Sequence, residues 1–392
     1  MTRPALPRTV WVLGFVSLLM DLSSEIIHAL LPLFVTVTLG ASVAVLGAID
    51  GVAEATASFA KLASGRLSDR NQRRKPWILL GYGLAAATKP LFALAGSPLT
   101  VLGARLVDRS AKGIRGAPRD AMLADETAPE IRGAAFGLRQ SLDTVGAFLA
   151  PLAAVALMWA LAQNIRAVFW VAVIPGLASV TLAWVALREP ARHADTGKPQ
   201  PLLRDLGAID RRCWLIVVVA SVFTLARFSE SFLILKGADA GLSVTLAPLT
   251  LVLFNLAYLL LSYPAGALSD RRDPRLILAA GIGLLVIGDV VLAFGDGLVW
   301  AALGVALWGG HMALTQGLFA RLIADAAPER LRATTFGLFH FATGIAALLA
   351  SLAAGWLWEV RGPAATFIAS AAVAAMSALM LPTLRTRVPS AP

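Results

Sequence analysis

The chain has 392 residues, of which 58% are hydrophobic and 15% charged, with a formal net charge of +10 and a mean hydropathy of +0.74. This balance excludes an ordinary soluble domain and fits an integral membrane protein, with room for about twelve spans of roughly 20 residues. The single cysteine, Cys213, excludes an internal disulfide, and the positive charge is better explained by one membrane face than by nucleic acid.

The first span is expected from Val10 to Val37, too long an apolar run for a cleavable signal. It carries Asp21 and Glu25 four residues apart, with His28 at the next helical step. The second, over 44–64, carries Asp50 and Glu54 at the same spacing and leads into the basic stretch Gly65 to Lys75. After a third span at 76–95, the fourth, 99–123, holds the least membrane-like stretch of the chain, Arg105 to Asp120, read as RLVDRSAKGIRGAPRD. Steps of three and four place Arg105, Asp108, Arg109, Lys112, Arg115 and Arg119 along one helical face. A polar stripe on an apolar helix predicts a water-lined path, because an unpaired charge at mid-membrane costs on the order of 3 kcal/mol or more. The fifth span, 134–162, contains Asp143 and the small-residue run Gly146 to Ala150 followed by Pro151, and the sixth covers 167–187.

One long polar connection, 188–212, divides the chain into two six-helix halves, 1–187 and 213–392. The seventh span, 213–237, carries Arg227 and Glu230, with Ser229-Glu230 echoing Ser24-Glu25. The eighth to twelfth fall at 243–265, 275–295, 298–322, 333–357 and 362–382. His311 and Gln316 in the tenth suit a pocket wall, whereas no recurring His or Met spacing supports a metal site. Lys and Arg gather on alternate loops, which predicts cytoplasmic termini and a cytoplasmic linker.

The halves repeat each other. Arg132-Gly-Ala-Ala-Phe136-Gly137-Leu138 returns 200 residues later as Arg332-Ala-Thr-Thr-Phe336-Gly337-Leu338. Gly65-Arg-Leu-Ser-Asp69-Arg70 returns 201 residues later as Gly266-Ala-Leu-Ser-Asp270-Arg271.

On these motifs the chain resembles the major facilitator superfamily of secondary transporters over its whole length. The loop Gly65-Arg-Leu-Ser-Asp69-Arg70-Asn-Gln72-Arg73-Arg74-Lys75 is similar to the superfamily signature G-x-L-x-D-R-x-G-R-R/K, with Gln72 in place of glycine. The resemblance implies a cytoplasmic latch of Gly65, Asp69, Arg70 and Arg73, repeated by Gly266, Asp270 and Arg271, with Arg119 and Asp120 at the same gate. Gly146, Ala150 and Pro151 resemble the G-x-x-x-G-P motif of drug and proton antiporters, and Arg109-x-x-Lys112-Gly113-x-Arg115 resembles a pattern linked there to proton transfer.

The resemblance implies an all-α membrane fold of twelve helices in two pseudo-symmetric bundles, and a central cavity lined by spans one, four, seven and ten. The residues expected to couple protons or contact substrate are Asp21, Glu25, Arg105, Asp108, Arg109, Lys112, Arg115, Arg227, Glu230, His311 and Gln316, with Asp50, Glu54 and Asp143 as further intramembrane acids. No phosphate loop, nucleophile elbow or zinc motif is present in the sequence, so no enzymatic activity and no cofactor are expected. The expected function is proton-driven export of a small organic compound by a monomer in a bacterial inner membrane. The alternatives are import or exchange of an organic anion or metal chelate, and a receptor or scaffold that carries no flux.

Overall fold

The computed structural model describes residues 6–71, 73–127, 132–189, 209–269, 272–326 and 332–384. They form thirteen α-helices and no strand. Helix α1 spans Arg8–Leu33 and runs into a π-helical turn, Phe34–Thr38; α2 is Val43–Asn71, α3 Lys75–Leu94, α4 Pro98–Asp125, α5 Arg132–Ala160 and α6 Ile165–Ala186. In the second part α7 is Arg211–Leu225, α8 Ser231–Asp239, α9 Leu249–Ser269, α10 Pro274–Phe294, α11 Leu298–Ala326, α12 Arg332–Arg361 and α13 Pro363–Ala378.

Local chemistry sets the helix starts. Proline occupies the first turn of α3, α4, α10 and α13, where its missing N–H costs nothing. Ser97, Asn164, Asp210 and Asp273 each accept a backbone N–H at the entrance of α4, α6, α7 and α10. The start of α3 is completed from a distance: the Glu189 carboxylate accepts the backbone N–H groups of Arg74 and Lys75, while Lys75 Nζ donates to the Trp184 and Leu187 carbonyls at the end of α6. An anion at a helix start and a cation at a helix end both complement the helix dipole.

Among the described residues, nine helical stretches are long and apolar enough to cross a membrane. Helix α4 fails that measure through its charges, and α9 offers only the shorter apolar stretch Leu249–Ser262. Two expectations are corrected. The seventh span is not one helix over 213–237 but two, α7 and α8, separated by non-helical backbone at 226–230. The eighth begins as a helix only at Leu249, after turns over 240–248.

The chain divides into two compact units, one of Met1–Ala41 with Val52–Pro199, the other of Ser42–Gly51 with Gln200–Pro392. In the first, α1 packs on α5 and α6, and α3 on α4 and α6. Its core is largely aliphatic, with Leu13, Val16, Met20 and Ile78 around Tyr82. In the second, α7 packs on α12 and α13, and α10 on α11 and α13. These pairings repeat those of the first unit, but the core is aromatic: Phe228 lies 5.1 Å from Trp308, 5.2 Å from Phe232 and 5.6 Å from Phe367 between ring centroids.

The repeat holds at single-residue register. A Cβ added to Gly81 of α3 would meet the Ala111 carbonyl and Arg115 of α4, and one added to Gly281 of α10 would meet the His311 carbonyl and Thr315 of α11, each 200 residues on. Gly146 of the antiporter-like motif serves a similar close approach, of α5 to α1, where an added Cβ would sit 2.6 Å from the Leu18 carbonyl oxygen. Ala150 and Pro151 are buried in the same helix. Gly146→Val should therefore force α5 off α1 and cost about 1–3 kcal/mol, read as a lowered midpoint of thermal unfolding in detergent; Gly116→Ala, where nothing lies within 4 Å, should leave it unchanged.

Candidate functional site

The stripe on α4 is sorted by depth. Arg105, Asp108 and Arg115 are 4%, 5% and 3% exposed, Arg109, Arg119 and Asp120 are half-buried, and Lys112 is exposed. The buried members find partners on α1 and α3. Lys89 of α3, itself 1% exposed, places Nζ 2.7 Å from Asp108 Oδ1 and donates to Ser24 Oγ of α1 at 2.8 Å. Asp108 is thus neutralised by a lysine that the sequence reading passed over, because Lys89 is a lone charge in an otherwise apolar span.

Arg105 Nη2 lies 2.9 Å from His28 Nδ1. A guanidinium has no acceptor, so Nδ1 must accept, and the neutral ring carries its proton on Nε2. Arg115 stacks its guanidinium 4.7 Å from the Tyr82 ring centre. Arg119 donates to Ser17 Oγ at 3.0 Å, Ser17 sits 3.0 Å from the Tyr82 hydroxyl, and Arg119 also pairs with Asp120 at 3.2 Å. The stripe is therefore more an anchored polar seam than a bare wall, with Arg109 and Lys112 its more open members.

Asp21 and Glu25 are both half-buried on α1. Glu25 lies within electrostatic reach of His28, Lys112, Arg109 and Arg105, and Asp21 within reach of Asp143, Lys112 and Arg115. The acids of α1 and the open cations of α4 thus share one neighbourhood within the first unit. Asp143 bonds Arg139 at 2.6 Å, a partner one helical turn earlier that the sequence reading did not weigh.

In the second unit the non-helical stretch 226–230 carries Arg227 and Glu230, both half-buried, and Glu230 acts electrostatically on Arg227. Arg227 lies over the Phe223 ring at 5.9 Å and reaches the Met312 sulfur. His311 is fully buried, edge-on to Trp308 at 5.4 Å and to Phe223 at 6.0 Å, and neither ring nitrogen has a hydrogen-bond partner among the described residues. Gln316 is exposed. Asp50 is 6% exposed and accepts from the Ser229 and Ser231 hydroxyls, whereas Glu54, one turn on, is exposed. Asp289 of α10, also passed over, is fully buried and accepts from Trp308 Nε1 at 2.8 Å.

At the proposed gate, the side chains of Asp69 and Arg70, the surroundings of Gly65 and Gly266, and all of Asp270 and Arg271 lie outside the described residues. Arg73 is exposed beside Pro76, Trp77 and Leu80. The described contacts there belong to Arg74, which donates to Ser68 Oγ at 2.9 Å and pairs with Asp125 at 3.5 Å. No cluster of three or more potential metal ligands occurs among the described residues.

With two repeated helical units and buried ionisable residues in each, the family comparison is decisive: the Major Facilitator Superfamily model matches residues 13–236 and 231–392. The chain belongs to the Major Facilitator Superfamily. It is 30% identical over 384 residues to an uncharacterized MFS-type transporter of Methanocaldococcus jannaschii, covering 96% of this chain and 94% of that one. It is 24% identical to the inner membrane transport protein YajR of Escherichia coli, over 95% of this chain and 82% of that protein. Among solved structures, the nucleoside transporter NupG matches with a TM-score of 0.81 at 14% identity, over 97% of this chain and all of the other (100%), and the human organic anion transporter MFSD10 with a TM-score of 0.69 at 17% identity, over 97% and 100%. Those two likenesses describe the fold. The protein is a multi-pass secondary transporter of small molecules and not an enzyme.

The Lys89–Asp108 pair yields a direct test. Removing one partner of a buried ion pair strands the other, at about 3–5 kcal/mol, whereas replacing both with apolar residues is often close to neutral. Lys89→Met should lower the unfolding midpoint steeply, and Lys89→Met with Asp108→Leu should recover most of the loss in the same thermal assay.

Proposed function

We propose that the protein is a proton-coupled transporter working by alternating access, exporting a small organic compound from the cytoplasm in exchange for protons. The observation that supports this reading is that Lys112 acts on both Asp21 and Glu25, joined by Arg115 at Asp21 and by Arg109 at Glu25. A carboxylate set between a low-dielectric helix bundle and movable cations has two competing influences on its proton, desolvation and charge pairing. Any rearrangement that moves the cations changes the balance, so loading and release of the proton follow conformation. The proton gradient is then the energy source and no cofactor is required. A bacterial inner membrane, cytoplasmic termini and a monomeric state complete the reading.

In proteoliposomes under an imposed pH gradient, Asp21→Asn or Glu25→Gln should abolish substrate-driven proton movement while substrate binding survives. Unchanged coupling in both variants removes these residues from the mechanism.

A second reading is import or exchange of an organic anion. It draws on the exposure of Lys112 while Asp108, one turn before it on the same helix, is already paired with Lys89. The transporter MFSD10, of similar fold, is described as an organic anion transporter. Under this reading organic carboxylates stabilise the purified protein in a thermal-shift screen and Lys112→Gln abolishes the shift; stabilisation by cations alone excludes it.

A further inference from the structure

Asp289 lies in the second unit on α10, with a fully buried side chain. Its two carboxyl oxygens have different neighbours: Oδ1 accepts the indole N–H of Trp308 at 2.8 Å, and Oδ2 lies 2.5 Å from the hydroxyl oxygen of Ser370 on α13. The Ser370 hydroxyl in turn lies 2.6 Å from the backbone carbonyl oxygen of Ala226. Three oxygens in a row must be linked by two protons. A serine hydroxyl supplies one, and a peptide carbonyl has none to give. If Ser370 donates to Ala226, the remaining proton must sit on Asp289; if Ser370 donates to Asp289, two oxygen lone pairs face each other across 2.6 Å. The arrangement is complete only when Asp289 is a carboxylic acid that donates from Oδ2 to Ser370.

The surroundings agree. The polar groups acting on Asp289 are Ser370 and Trp308, and no described basic group pairs with it. On the elements packed against α10, the titratable residues are His311, Arg321 and Asp325 on α11 and Tyr258 and Tyr263 on α9, while α13 has none. Arg321 and Asp325 are thirteen and seventeen positions along α11 from Trp308, about 20 and 25 Å at 1.5 Å per residue. His311 meets the Trp308 ring and not the carboxyl. Arg227, next to Ala226, is directed to Phe223 and Met312. In the first unit the positions 200 residues earlier are Lys89 and Asp108, which neutralise each other as an ion pair. In the second unit a tryptophan replaces the opposite charge, leaving a proton as the means of neutralising Asp289.

We propose that Asp289 is a proton-binding site whose occupancy holds the break in the seventh span. Ala226 is the first residue of that break, just past the end of α7, where the helix no longer supplies partners for the carbonyls. With the proton bound, the chain Asp289–Ser370–Ala226 ties the break to α10 and α13. When the proton leaves, Ser370 turns its only hydrogen to the carboxylate and the Ala226 carbonyl is released, loosening the segment that carries Arg227 and Glu230. The proton is taken up and given back as such, with no covalent change. The link to transport rests on the proton-coupled reading above; the protonation itself does not.

The test is infrared spectroscopy of the purified full-length protein in lipid, without substrate or gradient, with hydrogen–deuterium exchange of 226–230 corrected for intrinsic rates. The parent should show a protonated-carboxyl carbonyl band that disappears as pH rises. Asp289→Asn, whose amide can donate to Ser370 as the acid does, should remove that band, and Ser370→Ala should shift its frequency. As the band disappears, exchange at 226–230 should rise about fivefold in the parent, the change expected for one lost hydrogen bond, and stay constant in Asp289→Asn. An acid band unchanged in both variants overturns the protonation, even if one of them unfolds easily. Exchange at 226–230 that ignores pH in the parent overturns the coupling to the break. Unchanged proton coupling in both Asp21→Asn and Glu25→Gln with these results intact is failure of the transport reading alone, whereas lost coupling in those variants without these results is failure of this site alone.

Discussion

Hydrocarbon offers no hydrogen bonds, so every buried polar group in a membrane bundle must find its partner within the protein. The Lys89–Asp108 pair shows what this constraint builds. One ammonium meets a carboxylate on α4 and a serine on α1, so three helices are fixed at one point. The same helix α1 carries Ser23, bonded to the Ala172 carbonyl of α6, and its Val16 carbonyl accepts from Ser179 of α6. In an aliphatic core with few shape-specific contacts, these polar links specify which helix faces meet. Helix α4 carries its buried charges against partners on α1 and α3: Asp108 against the Lys89 ammonium, Arg105 against the His28 ring nitrogen and Arg115 against the Tyr82 face.

The second unit meets the same constraint by other means. Its helix pairings follow the first, and Gly281 occupies the close-approach position of Gly81. Yet where the first unit sets lysine against aspartate, the second sets aspartate against the indole N–H of tryptophan. The aromatic packing of Phe228, Phe232, Trp308 and Phe367 supplies the shape specificity that ion pairs supply in the first unit. Duplication conserves the packing register and leaves the electrostatics free to diverge, so the two halves of such a transporter can divide the handling of charge and of protons unequally.

The spans, the repeat and the family were legible because they rest on composition and on motifs that recur at a fixed spacing. The charged stripe on α4 was legible for the same reason, since a run of that density stands out in an oily chain. Its partners were not. Lys89 and Asp289 are single charges in long apolar spans, and nothing local marks them. The 200-residue offset carried the missing signal, because it sets Lys89 over Asp289 and Asp108 over Trp308, two positions on neighbouring helices that are polar in both halves. Asp143 was singled out while Arg139, one turn before it, was not, although an i,i+4 pair of opposite charges is readable from sequence. Helix periodicity also overstated the stripe as one uniform face: it fixes angle around an axis but not depth against neighbouring helices.

The break at 226–230 was unreadable for a different reason. Ala-Arg-Phe-Ser-Glu contains neither proline nor glycine, and its apolar surroundings favour a continuous helix. The interruption comes from tertiary contacts that reward leaving the helix. Phe228 reaches the ring cluster at 7% exposure, the Ala226 carbonyl bonds Ser370, and Ser229 Oγ accepts the backbone N–H of Ser231 at the start of α8. Non-helical backbone at membrane depth survives only where protein or water satisfies it. Here one aromatic anchor and a few hydrogen bonds do so. A segment so held, and carrying an arginine and a glutamate, is where a small change in proton occupancy has the most leverage on conformation.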